Sequence, residues 1–350
     1  MVLARRPRNQ KTLEPQQAPR DADAFEQTLR PKMMSEYIGQ SEIKGHLLVH
    51  IEAAKARGEP LGHTLLHGPP GLGKTTLAHI IAHEMGSQLR ITSGPAIEKP
   101  GDLASLLTNL GQGDVLFIDE IHRLRPVIEE VLYSAMEDYA LDLVIGKGPS
   151  ARSMRLSLKP FTLIGATTKA GSISAPLRDR FIQNFKLSFY TIPEMEQIVL
   201  RSAGILGVKL EDGVADLIGS SSRATPRIGN RLIRAVRDFA QVSKETVVSM
   251  PRVRSTLEAL GIDDRGLDRT DRMILRTIVE KFGGGPVGLS TLAAATAEEE
   301  DTLEDVYEPY LMQQGLLLRT PKGRTVSPMA YSLLDISVPD YPQKNLFPAG

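Results

Sequence analysis

One short run constrains this chain more than any other feature. Gly68-Pro69-Pro70-Gly71-Leu72-Gly73-Lys74-Thr75 fits the pattern G-x-x-x-x-G-K-[ST] in full. Thr64-Leu65-Leu66 precedes it, short and apolar enough to be a buried strand. Leu77, Ala78, Ile81, Ala82 and Met85 follow at helical spacing, and Gly86 stops the helix. Glycines let the backbone curl around an anion, so that several N–H groups point inward. The helix that follows adds the partial positive charge of its N-terminus. A strand, such a loop and a helix in that order predict an α/β fold built on a parallel sheet.

Four further runs read as buried strands: Gln88–Thr92, Asp114–Asp119, Phe161–Thr167 and Asn184–Phe189. Helical segments lie between several of them, as βαβ units require. Asp119 and Glu120 close the third strand of the series at its C-terminal edge, where open α/β sheets bind ligands. Beside a phosphate loop, the chemistry follows from the side chains. Lys74 reaches the β- and γ-phosphates, while Thr75 and Asp119 hold Mg²⁺. Glu120 orients and deprotonates a water. Such a pair points to hydrolysis of a nucleoside triphosphate rather than transfer to a small acceptor.

The rest of the chain changes character twice. Ala140–Pro160 alternates apolar and polar residues around Gly146-Lys147-Gly148-Pro149, a hairpin pattern projecting from the core. Beyond Pro193 the spacing is helical to about Leu260. Thr270–Phe282, Ser290–Ala297 and Thr302–Gly315 then read as three helices before a strand–turn–strand at Leu316–Thr320 and Arg324–Ser327, a winged-helix outline. The expected organisation is a tail over 1–24, an α/β ATPase domain over 25–191, an all-α lid over 192–262, a winged-helix head over 265–336 and a tail over 337–350.

Composition limits the partners. Lys+Arg and Asp+Glu are both 42, so bulk charge alone cannot bind nucleic acid or an anionic membrane. The absence of cysteine excludes disulfides, thiolate metal sites and cysteine nucleophiles. No apolar run approaches the ~18 residues that span a bilayer. The basic N-terminus lacks the apolar core of a signal peptide. The expectation is a cytoplasmic protein with no membrane partner.

GPPGLGKTTLA followed by LFIDEIHRL resembles the AAA+ ATPases. Within them, the chain resembles the bacterial Holliday-junction branch-migration motors. The likeness rests on LRP (Leu29–Pro31), EYIGQ (Glu36–Gln40), MEDYALDLVIGKGPSARS (Met136–Ser153), GATT (Gly165–Thr168), PLRDRF (Pro176–Phe181), TPRIGNRL (Thr225–Leu232) and GRTVSPMAY (Gly323–Tyr331). The resemblance implies a polar sensor at Thr167 or Thr168, of which Thr168 is taken as catalytic. It implies a finger that enters a neighbouring subunit's site, at Arg178 or Arg180, with Arg180 preferred. Arg227 matches the sensor arginine of the lid. Leu29, Arg30, Tyr37 and Ile38 match the segment beside the base, and Glu137, Asp138, Tyr139 and Tyr190 align with other nucleotide-site positions. Gly71, Gly73 and Thr76 complete the cofactor set with Lys74 and Thr75. Three positions depart from the family pattern: Lys169, Ala175 and Ile182.

Read from the residues alone, Arg178 and Arg180 flank Asp179 and fit surface ion pairs as well. Arg227, Arg231 and Arg234 equally fit one solvated helix face.

The resemblance also implies a homohexamer around double-stranded DNA. The hairpin at 140–160 would dock onto the junction-binding partner RuvA, and the RuvC resolvase is a further partner. The run Glu298–Glu308 holds seven acids and no base, which disfavours a helix laid in a groove. The wing that follows, with Arg319, Lys322 and Arg324, is expected to touch the phosphate backbone, chiefly through Arg319 and Arg324. An ATP-gated DNA-binding switch of the initiator type is the alternative, and a clamp-loader-like remodeller a third. His79 and His83 stand four apart but lack the glutamate of a metal-binding H-E-x-x-H, so no histidine metal site is expected.

Overall fold

The computed structural model describes residues 26–145 and 152–338. The expected tail at 1–24 and most of that at 337–350 lie outside these residues, as does the turn of the projecting hairpin. The described residues up to Arg30 belong to a short unit of their own, in which residues 26–29 make one helical turn. In it, the Arg30 N–H donates to the Gln27 carbonyl at 3.4 Å.

The second unit begins at Pro31. Its first strands are β1 (Thr64–His67), β2 (Leu89–Ser93), β3 (Val115–Asp119), β4 (Ala140–Ile145), β5 (Arg152–Ser157), β6 (Thr162–Thr167) and β7 (Gln183–Lys186). Five of them form one parallel sheet in the order β2-β3-β6-β1-β7, and β4 and β5 form a separate antiparallel hairpin.

Both faces of the sheet are buried, because successive side chains in a strand point to opposite sides. Leu65, Leu116 and Leu163 pack with Leu103, Leu107, Ile128 and Leu132 of the helices Pro100–Thr108 and Pro126–Glu137. Leu66, Phe117 and Ile164 pack the other way, with Leu47, Ile51, Leu77 and Ile81 of the helices Ser41–Arg57 and Lys74–Met85. This two-sided burial is why the central strands β1, β3 and β6 read as mostly apolar runs.

The last strand is shorter than its apolar run, Asn184–Phe189, would predict. β1 ends at His67, so β7 loses its neighbour after Leu187, whose N–H still donates to the His67 carbonyl at 2.8 Å. At Ser188 the Gln40 side chain takes over: its amide N–H donates to the Ser188 carbonyl at 2.6 Å, and its oxygen accepts the Ser188 N–H at 3.1 Å.

Four helices follow, Ile192–Leu206, Val214–Ser220, Pro226–Val242 and Met250–Leu260, around a core that includes Val199, Ile218, Ile233 and Val253. The C-terminal block packs the helices Arg269–Phe282 and Leu289–Thr296 against a hairpin of β8 (Leu317–Thr320) and β9 (Gly323–Val326), with Ile274, Leu292, Leu311 and Leu317 at its centre. The third helix of this block is unbroken, as its spacing predicts, but not regular. It runs as a helical turn at Glu300–Thr302, a wide π-turn over Leu303–Tyr307 and a helix over Glu308–Gln313. Pro309 has no N–H to donate one turn back, so the regular ladder cannot pass through it. The wide turn precedes it and carries Glu304 and Asp305. Among the described residues no helix is long and apolar enough to cross a membrane.

Candidate nucleotide site and nucleic-acid interface

Sheet register brings three strand ends to one edge. His67 of β1 lies beside Thr167 of β6, and Ile118 of β3 beside Gly165. The glycine loop, the pair Asp119–Glu120 and the pair Thr167–Thr168 therefore leave the sheet side by side, at the carboxyl edge where such folds bind ligands. The Gly68 N–H donates to the Thr167 carbonyl at 3.2 Å, tying the loop to the central strand.

The loop needs its glycines. Gly68 has φ +139°, and a Cβ there would stand 2.6 Å from the Leu187 carbonyl oxygen. Gly73, at φ +100°, turns directly into the helix at Lys74. Lys74 is buried, and its Nζ donates to the carbonyls of Gly68 at 2.7 Å and Pro69 at 3.0 Å. Burial pushes its pKa down to about 8, against the pull of Asp119 and Glu120, while Arg227 pushes it further down. Thr75 and Thr76 follow, half-buried on the first turn.

Behind the loop, the Tyr190 hydroxyl donates to the Leu72 carbonyl at 3.2 Å and is hydrogen-bonded to the Tyr37 hydroxyl at 3.0 Å. Burial holds both phenols neutral: Tyr190 is raised to about 12 and Tyr37 well above its ordinary value. Ile38 is half-buried next to Tyr37. The lid closes against the same loop. The Arg227 N–H reaches the Gly71 carbonyl at 3.5 Å, and the Tyr190 N–H donates to the Ala224 carbonyl at 3.0 Å. Tyr37, Tyr190, Arg227, Lys74, Asp119 and Glu120 thus belong to one neighbourhood.

The catalytic edge holds a group that sequence reasoning missed. His122 Nδ1 lies 3.2 Å from Glu120 Oε2 and 2.9 Å from Thr167 Oγ1. Thr167 is fully buried and also accepts the Lys169 N–H at 2.9 Å, whereas Thr168 is half-exposed. Its place two residues after Glu120 was the one available signal for His122.

A second cluster gathers at the far end of the helix Pro126–Glu137. Arg180 donates to the Pro176 carbonyl at 2.7 Å, pairs with Glu137 at 3.0 Å and lies 4.5 Å over the Tyr133 ring. Asp138 pairs with Arg155 at 2.5 Å, and Tyr139 packs edge-on against His63 and Phe161. Arg178 is exposed. The structure therefore groups Glu137, Asp138, Tyr139 and Arg180 around this helix end, while Lys74 responds to Asp119, Glu120 and Arg227. Leu29 and Arg30 belong to the separate short unit.

At the base of the projecting hairpin, Leu141 and Leu158 are buried and Leu156 packs against the same core, while Met154 is exposed. The turn residue Lys147 lies outside the described residues.

The wing differs from expectation at one residue. Arg319 is half-exposed and pairs with Glu304 at 2.8 Å, and Lys322 is exposed. Arg324, expected at the phosphate-facing surface, is buried instead. Its Nε donates to Glu308 Oε1 at 2.6 Å and its Nη2 to Glu308 Oε2 at 3.3 Å. A buried guanidinium requires such a partner, and the partner comes from the acidic run itself. That run also meets Lys169, whose Nζ lies 2.7 Å from Asp301 and 3.2 Å from Asp305. Lys169 stood out in the sequence only as a departure from the family pattern.

A complete glycine loop, two carboxylates at the end of β3, a threonine pair on β6 between them and a lid arginine over the loop define an ATPase of the AAA+ class. Family models then match nearly the whole described chain. These are the Holliday junction DNA helicase RuvB P-loop domain over 29–187, the RuvB AAA lid domain over 190–263 and the RuvB C-terminal winged helix domain over 264–335. The chain belongs to the RuvB family. Among solved structures it is similar to the Thermotoga maritima RuvB Holliday junction branch migration motor. The two are 51% identical with a TM-score of 0.82, covering 89% of this chain and 100% of that one. Two mutants of T. maritima RuvB match at 51% identity with a TM-score of 0.83, each covering 89% of this chain and 99% and 100% of theirs.

Proposed function

We propose that this chain is an ATP-driven motor that moves along double-stranded DNA and drives branch migration of Holliday junctions in recombination and repair. The observation that carries this reading is the convergence of Lys74, Asp119, Glu120 and the Thr167–Thr168 strand end on one sheet edge. Lys74 takes the β- and γ-phosphates of ATP, Glu120 deprotonates the attacking water, and Thr168 contacts the γ-phosphate. Arg227 completes the pocket from the lid. Tyr37, Ile38 and Tyr190 flank the base side.

The oxygen donors of Thr75 and Asp119, one at the start of a helix and one at the end of β3 on the same sheet edge, suit a hard divalent cation. Mg²⁺ held there would neutralise charge on the phosphates. Arg180 is the finger for a neighbouring subunit in a homohexamer, and Glu137, Asp138 and Tyr139 lie with it on that side. This suits an arginine whose partner is another copy's phosphate. The domain limits are ATPase 25–191, lid 192–262 and head 265–336. RuvA docks on the hairpin at 140–160, RuvC joins the same assembly, and the cytoplasm is the site of action. The head reaches duplex phosphates through Arg319.

A synthetic four-way junction tests the reading. With RuvA and ATP, the wild-type chain should dissociate it. Glu120→Gln should bind ATP and junction DNA yet neither hydrolyse nor migrate. ATP-dependent DNA binding with little turnover and no migration would favour the initiator-type switch instead.

A further inference from the structure

We propose that His122 is a positioning residue for hydrolysis: it holds the Glu120 carboxylate and makes its orientation depend on the Thr167 end of β6. The proposal rests on reading Glu120 as the base.

The backbone leaves Glu120 little freedom. It adopts the left-handed conformation at φ +47°, which a non-glycine residue occupies only where its surroundings impose it. Its carbonyl accepts the Arg123 N–H at 2.9 Å, and it lies so close to Gly94 that a Cβ there would stand 2.4 Å away. Ile121, fully buried, anchors the turn. What stays adjustable is the side chain of Glu120, and one group grips it.

The chemistry of that grip follows from the partners. An ionised carboxylate can only accept, so the His122 Nδ1 that faces Glu120 Oε2 at 3.2 Å suits the carboxylate best when it carries the ring proton. The same Nδ1–H faces Thr167 Oγ1 at 2.9 Å, and that oxygen already accepts the Lys169 N–H. A proton on Nδ1 therefore bonds the buried threonine next to Thr168 and also stands beside the carboxylate of the base. Burial lowers the pKa of His122, with Glu120 and Asp305 opposing and Lys169 and Arg123 assisting, which favours a neutral imidazole able to play this part. Any shift of the Thr167–Thr168 strand end on phosphate contact changes how the proton is divided. The base is then released or tightened in response to what Thr168 touches.

Three variants test it. In His122→Leu, kcat for ATP should fall by about tenfold or more while KM and nucleotide affinity stay within about twofold. In His122→Asn, whose side-chain amide can place an N–H near the Nδ1 position, most of kcat should return. Thr167→Val should change kcat without further loss when added to His122→Leu, because both act through one shared proton. Unchanged kcat in His122→Leu would overturn the proposal. So would equal losses in the Leu and Asn variants accompanied by weakened ATP binding or a lowered Tm, which would mark a purely structural histidine. Full hydrolysis by Glu120→Gln would instead remove the reading on which the proposal stands.

Discussion

Arg324 and Glu308 form a buried ion pair in the head, with side chains only 9% and 3% exposed and Nε donating to Oε1 at 2.6 Å. The pair joins the wing to the helix that follows the acidic turn. Glu304 is shared by this arginine at 3.9 Å and by Arg319 at 2.8 Å. The acidic segment that looked hostile to DNA is thus the internal counterweight of the wing.

Arg324→Ala should therefore act first on folding. Removing one partner of a buried pair costs about 3–5 kcal/mol, because the other charge stays buried and unmatched. Arg319→Ala should leave stability within about 1 kcal/mol, as for an exposed pair. It should weaken duplex binding evenly across sequences and reduce the salt slope of log Kd by about 1. Denaturation curves and salt titrations on both variants decide the matter. A stable Arg324→Ala protein would contradict the buried-pair argument, and unchanged DNA affinity in Arg319→Ala would remove it from the interface.

A second expectation concerns Lys74. Held at about 8 by burial, it is only partly protonated above that pH, whereas phosphates beside it would favour the ammonium. Below about pH 8 nucleotide binding needs no proton. Above it, binding must take one up, so affinity should fall with rising pH by at most about tenfold per unit. Calorimetry of ATP binding in two buffers of different ionisation enthalpy reads the proton directly. No uptake at about pH 9 would show that the lysine is already charged before nucleotide binds.

Sequence patterns exposed the parts of this protein whose causes are local. The strand, glycine loop and helix around Lys74 lie within one short stretch, and Asp119 and Glu120 end a run of four fully buried residues. The contacts that were not legible join distant positions. Thr167 and His122 are 45 residues apart, and Lys169 and Asp301 are 132 apart. Arg324 and Glu308 are only 16 apart, yet their pairing depends on the π-turn and on how the wing folds back. Composition makes a cation in a hairpin look exposed; only the packing of the head shows that one of these cations faces inward.

The last prediction comes from the first helix of the head. Asp271 is fully buried, one oxygen accepting from Arg223 at 2.8 Å and from the Asp268 N–H at 2.9 Å, while the other has no hydrogen-bond partner. Burial pushes its pKa up to about 7, with Arg223 pulling down and Asp268 adding to the rise. A carboxyl whose folded pKa lies above its unfolded value binds more protons when folded. Between about pH 4 and about pH 7 its contribution to stability must therefore decline as pH rises, and level off above. Asp271→Asn imitates the protonated acid, and Arg223 keeps Asp268 at 3.6 Å and the Tyr307 and Tyr310 rings. The difference in Tm between wild type and variant should move in the variant's favour from about pH 5 to about pH 8. Parallel curves across that range would mean that Asp271 stays ionised throughout and that its bond to Arg223 outweighs its burial.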